Sequence, residues 1–201
     1  MAARRIGLLG GSFDPAHAGH RYISLAALGR LRLDEVWWLV SPQNPLKTAT
    51  ASALEDRLET ARRVAAHPSI RVTDIERTLG TVYTVDTLRA LVRRCPAVRF
   101  VWLIGADNLV QIPRWRRWRK IFTSVPIAVF ARPPYSFKAL TGRAARRFAS
   151  ARIAEARSAA LAEMRPPAWV FLHTRPHPES ATRIRAARNP KQGRRAGTGK
   201  P

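Results

Sequence analysis

Two histidines three residues apart close the run Gly10-Gly11-Ser12-Phe13-Asp14-Pro15-Ala16-His17-Ala18-Gly19-His20. Imidazoles give or take protons near neutral pH and hydrogen-bond to anions. The run follows the apolar stretch Ile6-Gly7-Leu8-Leu9, which reads as a buried strand. Paired glycines at its end carry no Cβ, so they allow a sharp turn and a close approach of backbone to ligand. With a helix over residues 18–28, His17 and His20 fall near its first turn. Unpaired N–H groups and the helix dipole already favour an anion there. The expectation is a phosphate site in which Gly10, Gly11, Ser12 and Phe13 supply backbone and two histidines supply donors. One histidine alone would be an ordinary satisfied polar group, and His67, His173 and His177 have no such context.

Two other glycine motifs fail on their residues. A phosphate loop of the Walker type needs Gly-Lys-Ser/Thr after its glycines, and no such lysine follows here. The dinucleotide fingerprint needs G-x-G-x-x-G, which Gly7-Leu-Leu-Gly-Gly-Ser does not match. Hydride transfer is therefore disfavoured.

The elements that must position these residues alternate along the chain. Apolar runs predict strands at 6–9, 36–40, 70–73, 100–104, 127–130 and 169–172, and helical periodicity predicts helices at 21–31, 54–66, 84–92, 139–164 and 182–187. Such alternation predicts an α/β fold, a doubly wound, Rossmann-like and mostly parallel sheet with helices on both faces. Ligands in such sheets bind beyond the carboxyl ends of the strands, near the point where strand order reverses. The glycine–histidine run occupies such a strand end.

Composition sets the remaining bounds. A chain of 201 residues suits one α/β domain. Residues 1–188 are expected to form it, and 189–201 a disordered basic tail lacking apolar groups to bury. The single cysteine, Cys95, leaves no partner for an internal disulfide and no zinc cluster. No run approaches the roughly 18 apolar residues of a membrane span, and the short apolar run behind the basic N-terminus does not make a signal peptide. A cytoplasmic, soluble protein without a membrane partner is expected. The sequence leaves a homo-oligomer open.

The net charge of +23 raises nucleic acid as a partner. Most of the excess lies after residue 107, where 21 basic residues face 3 acidic ones. Much of it, including Arg143, Arg146, Arg147, Arg152 and Arg157, falls on the expected outer faces of helices. Solvated basic faces account for it more simply than a nucleic-acid surface.

His17-Ala18-Gly19-His20 matches the H/T-x-G-H signature of a nucleotidyltransferase superfamily. Four further segments stand in the order found in one of its members: Ser41-Pro-Gln-Asn-Pro-Leu-Lys47, Tyr83-Thr-Val-Asp-Thr-Leu88, Gly105-Ala-Asp-Asn-Leu109 followed by Trp115, and Ser180-Ala-Thr-Arg-Ile-Arg185. Together they make the chain, from residue 6 to 185, resemble the bacterial nicotinate-nucleotide adenylyltransferases, the NadD family. A pantetheine-phosphate adenylyltransferase is the neighbouring alternative; that family usually has Thr where this chain has His17.

The resemblance implies that the 5′-phosphate of nicotinate mononucleotide attacks the α-phosphorus of ATP, releasing pyrophosphate, with Mg²⁺ carried mainly on ATP oxygens. It implies catalytic roles for His17 and His20, and a second phosphate element at Ser180, Thr182 and Arg185 that would open the last helix. Glu179, where that family usually has an apolar residue, departs from the pattern. Gly105 and Asp107 would meet the adenosine ribose; alternatively Asp107 caps a helix beginning at Asn108. Tyr83, Thr84, Trp115 and Arg116 would read the nicotinate ring and its carboxylate, and Lys47 a substrate phosphate. Trp115 has a plainer alternative as core, the role expected of Trp37, Trp38, Trp102 and Trp169, and Trp118 lies close enough in sequence to be confused with it. Arg57 is a weaker substrate candidate.

Overall fold

The computed structural model describes residues 3–42 and 52–175. The chain alternates strand and helix from β1 (Arg4–Gly11), α1 (Ala18–Arg30), β2 (Glu35–Val40), α2 (Leu54–Ala65) and β3 (Ile70–Thr73). It continues through α3 (Ile75–Leu79), α4 (Thr84–Arg94), β4 (Val98–Gly105), α5 (Ala106–Gln111), α6 (Trp118–Phe122) and β5 (Ile127–Phe130). Then come α7 (Ser136–Thr141), α8 (Arg143–Arg147), β6 (Arg152–Ile153) and β7 (Trp169–Leu172). The strands form a seven-stranded sheet in the order β3-β2-β1-β4-β5-β7-β6, with every described pairing parallel.

The strand sequences are apolar without a break because both faces of the sheet are covered. Successive side chains alternate between two cores. Leu8, Trp102, Ile104, Val129 and Phe171 pack on one side with Leu88, Ile121 and Phe122. Leu9, Val101, Leu103, Phe130 and Leu172 pack on the other with Ala27, Leu58 and Leu161. Strand order reverses between β1 and β4, so their adjacent carboxyl ends open the crevice that a doubly wound sheet offers to a ligand.

The long helix expected over 139–164 is not formed. Helix α7 ends at Thr141, and extended Gly142 (φ −73°, ψ 168°) separates it from α8. A Cβ on Gly142 would stand 2.8 Å from the Lys138 carbonyl oxygen, so the closeness of this break requires glycine. Beyond α8, Phe148 stacks on Phe122 at 4.2 Å between ring centres, and its carbonyl accepts the Trp169 indole N–H at 2.7 Å. Core packing has overridden the helical propensity of an Ala/Arg-rich stretch. Strand β6 and a 3₁₀ stretch, Glu155–Glu163, occupy the remainder of that span. Arg143, Arg146, Arg147, Arg152 and Arg157 are all exposed, as their expected outer faces require.

Candidate active site

Gly10 and Gly11 close β1, still in register with Leu39 and Val40 of β2. The expected glycine turn is therefore corrected: the chain turns at Phe13, whose φ of 46° is left-handed. Gly10 serves packing, since a Cβ there would stand 2.4 Å from the Trp102 ring. Phe13 is buried, stacked on Trp38 with ring centres 5.0 Å apart. Only its backbone is left to meet a ligand.

Helix α1 starts at Ala18, earlier than periodicity indicated, which makes His17 its N-cap residue and puts His20 in its first turn. The two rings lie 3.9 Å apart between centres, and His20 also lies against Phe13 at 4.7 Å and Trp38 at 5.8 Å. The Trp38 indole N–H donates to Ser24 Oγ at 2.8 Å, and that hydroxyl donates to the His20 carbonyl at 2.9 Å. The first turn of α1 is thereby tied to β2. Burial, the neighbouring His17 and the Arg132 guanidinium lower the His20 pKa to about 3, so the ring is neutral at physiological pH. The His17 backbone N–H donates to His20 Nδ1 at 3.2 Å. A neutral ring with Nδ1 accepting carries its proton on Nε2.

At the end of β4, Gly105 is the N-cap residue of α5, so Asp107 falls inside the first turn and does not cap it. A Cβ on Gly105 would stand 2.4 Å from Asp107 Oδ1, so glycine makes room for that carboxylate. Asp107 Oδ2 accepts from Arg132 at 3.0 Å, while Oδ1 is buried with no hydrogen-bond partner among the described residues. An unsatisfied buried carboxylate oxygen is costly unless a ligand donor completes it. Arg132 was not singled out from the sequence. It follows β5 by two residues, and only the pairing of β5 with β4 brings it to Asp107 and His20.

A second group gathers at the start of α4. The Arg116 guanidinium lies over the Tyr83 ring, 4.7 Å from its centre, and both residues are exposed. Thr84 opens the helix, with Tyr83 as the N-cap residue. Trp115 is half-buried against the core, and its indole N–H has no partner among the described residues. Trp118 is buried with Phe122 and Phe148, which leaves Trp115 the more accessible of the two tryptophans. Trp38, Trp102 and Trp169 are core as expected, whereas Trp37 is only half-buried and donates to Glu35 at 2.7 Å.

Arg57 is buried, and its guanidinium donates to the carbonyls of Ser12, Ser41, Ser52 and Pro42 at 2.7–3.1 Å. It ties the loop after β1 to the loop after β2, and these bonds leave it little capacity for substrate. Lys47, Ser180, Thr182, Arg185, Glu179, His177, the helix expected at 182–187 and the basic tail lie outside the described residues. Among the described residues, no group of three His, Cys, Asp or Glu side chains could hold a metal ion, and no helix is long and apolar enough to cross a membrane.

The cytidylyltransferase-like family model matches residues 8–187. A protein of Cereibacter sphaeroides named "Probable nicotinate-nucleotide adenylyltransferase" is 56% identical over 181 residues, covering 90% of this chain and 96% of its own. Proteins of the same name from Bradyrhizobium sp. and Methylorubrum extorquens are 55% and 53% identical, covering 84% and 90% of this chain and 88% and 98% of their own. Among solved structures, the Plasmodium falciparum nicotinic acid mononucleotide adenylyltransferase complexed with NaAD superposes with a TM-score of 0.66 at 16% identity. It covers 90% of this chain and 82% of its own, a likeness of fold.

Proposed function

From a chain that belongs to the cytidylyltransferase-like family and, within it, to the nicotinate-nucleotide adenylyltransferases, we propose transfer of the adenylyl group of ATP to nicotinate mononucleotide. A phosphate oxygen of the mononucleotide bonds to the α-phosphorus of ATP as the bond from that phosphorus to the bridging oxygen breaks. The products are nicotinate adenine dinucleotide and pyrophosphate, and no covalent enzyme intermediate is needed. Such a transfer asks the protein to align two phosphates and to stabilise charge on the phosphoryl oxygens.

The observation that carries this reading is the state of His20: neutral, packed between Phe13, His17 and Trp38, with its proton on Nε2. A fixed neutral donor, half-buried against an aromatic wall, gains interaction energy as negative charge builds on an α-phosphate. His17 is the second donor. The ends of β1 and β4 frame the ATP site, with Gly10 and Gly11 along one side and Asp107 on the other. Asp107 Oδ1 suits a ribose hydroxyl, which would supply the donor it lacks. Arg132, half-exposed beside Asp107, is placed to bring a positive charge to the phosphates.

Tyr83, Thr84, Trp115 and Arg116 form the mononucleotide end. An aromatic face stacks on the electron-poor pyridine ring, and free amides at the start of α4, with Arg116, suit its carboxylate. Lys47 and the Ser180, Thr182 and Arg185 element complete the phosphate contacts on the strength of their sequence pattern. Mg²⁺ is expected to enter with ATP, held by phosphate oxygens and water, and to neutralise charge on the departing pyrophosphate. Residues 1–188 are assigned to one catalytic domain and 189–201 to a basic tail. The enzyme is assigned to the cytoplasm.

The test is pyrophosphate release from ATP and Mg²⁺ with nicotinate mononucleotide or its amide. Turnover with the acid form is expected, and its absence would sink the proposal. Equal turnover with the amide would remove only the carboxylate contact.

A further inference from the structure

One buried carboxylate takes no part in adenylyl transfer. Glu76 lies in α3, 8% exposed, between the end of β2 and the start of α4. Thr87 Oγ1 of α4 donates to Glu76 Oε1 at 3.1 Å, and the Ser41 hydroxyl, one residue past β2, hydrogen-bonds the same carboxyl. Thr87 Oγ1 also lies 2.9 Å from Thr81 Oγ1 and 3.3 Å from the Tyr83 carbonyl.

A hydroxyl has one proton to give. Given to Glu76, it leaves Thr87 as acceptor for Thr81, and the Tyr83 carbonyl keeps the amides of Asp86 and Thr87, at 2.9 and 3.1 Å, as its donors. The orientation of the first turn of α4 is then fixed from α3. Through Ser41 the same carboxylate holds the first residue after β2. A carboxylate reaching two elements is costly to bury, and a well-packed apolar residue would hold α3 more cheaply. Its presence is explained by the need to fix the spacing of those elements.

We infer that Glu76 is a positioning residue for the mononucleotide pocket, holding Ser41 at the end of β2 and the first turn of α4 at a set separation. Resting on the adenylyltransferase reading, it places control of mononucleotide affinity in a residue that touches no substrate. Toward the ATP end, the Ser41 backbone is held independently of Glu76, its N–H donating to the Gly11 carbonyl at 2.9 Å and its carbonyl accepting from Arg57 at 2.7 Å, so loss of the side-chain contact is expected to leave that end in place.

Glu76→Gln keeps the shape and weakens both hydrogen bonds by removing the charge. It is expected to raise KM for nicotinate mononucleotide about fivefold to tenfold, leaving KM for ATP and kcat within about twofold. Thr87→Val should do the same, and the double variant should be no worse than the stronger single one. Amide hydrogen exchange on the free protein gives a readout independent of turnover: residues 83–88 should exchange about tenfold faster in Glu76→Gln than in the wild type. Equal shifts in both KM values, or unchanged exchange at residues 83–88, would overturn the inference. A wild-type protein that releases no pyrophosphate would defeat the adenylyltransferase reading, with the exchange result still deciding whether Glu76 holds the first turn of α4.

Discussion

The histidine end and the ring end of the site are built to opposite standards. His20 is walled by Phe13, Trp38 and His17, with the Ser24 bridge fixing its helix to β2. Tyr83 and Arg116 meet on an exposed surface through a cation–π contact, and Trp115 is half-buried beside them. The difference fits the tasks proposed for the two ends. A donor that must stabilise transient charge gains from low dielectric and a fixed tautomer, because it then needs no reorganisation as charge develops. A surface that must admit and release a charged ring gains from accessibility, since desolvating Arg116 before binding would cost more than the contact returns.

The largest effect should come from breaking the rigid end. His20→Ala is expected to lower kcat by about 10²–10⁴ while changing the affinity for ATP by less than about threefold. Steady-state pyrophosphate release and calorimetric titration with ATP separate the two quantities. A comparable loss in both would make His20 a ground-state binding group, and the contrast with the ring end would disappear.

At the open end, Trp115→Ala should raise KM for nicotinate mononucleotide about tenfold, with a smaller change in kcat. The same variant distinguishes stacking from core packing. A large drop in thermal midpoint with an unchanged KM would assign Trp115 to the core alone.

The same division governs how much of the site could be read from residues. Helix-terminal histidines and strand-end glycines are local signals, and all six expected strands lie within two residues of the observed ones at each end because buried parallel strands are apolar runs. The two-residue β6 has no such run, and α3, α5 and α6 are too short for their periodicity to show. Arg132 and Glu76 have no local signature. Arg132 matters through the β4–β5 pairing, and Glu76 through hydroxyls contributed by α4 and the loop after β2. The reading of Gly10 and Gly11 as a turn failed for a related reason: the feature requiring Gly10 is the ring of Trp102, a distant residue in sequence. Helical propensity over 139–164 was likewise outweighed by partners, Phe122 and Trp169, that no local window contains.

The smallest expected effect tests the rigid end without substrate. Burial, His17 and Arg132 lower His20 from 6.5 to about 3, so between those values the unfolded chain binds a proton that the folded chain refuses. Stability therefore falls as pH drops through that window. Asp34 and Glu155 are depressed, Asp34 by hydrogen bonds from Arg5 and Glu155 by those from His173 and Arg30 against the opposing effect of burial. Their contributions are present above their ordinary values of 3.8 and 4.5 and are lost below them, so they act later in the titration. Glu76 acts in the opposite sense: burial raises its carboxyl, so its contribution is largest in acid and is lost as pH rises. Comparing thermal midpoints at pH 7 and pH 5 between wild type and His20→Asn cancels the carboxylates and leaves the histidine. The wild type should lose more on acidification than the variant. Equal losses would mean that His20 sits in a more polar setting than its packing against Phe13 and Trp38 requires, and a rigid, desolvated donor could no longer explain the contrast with the ring end.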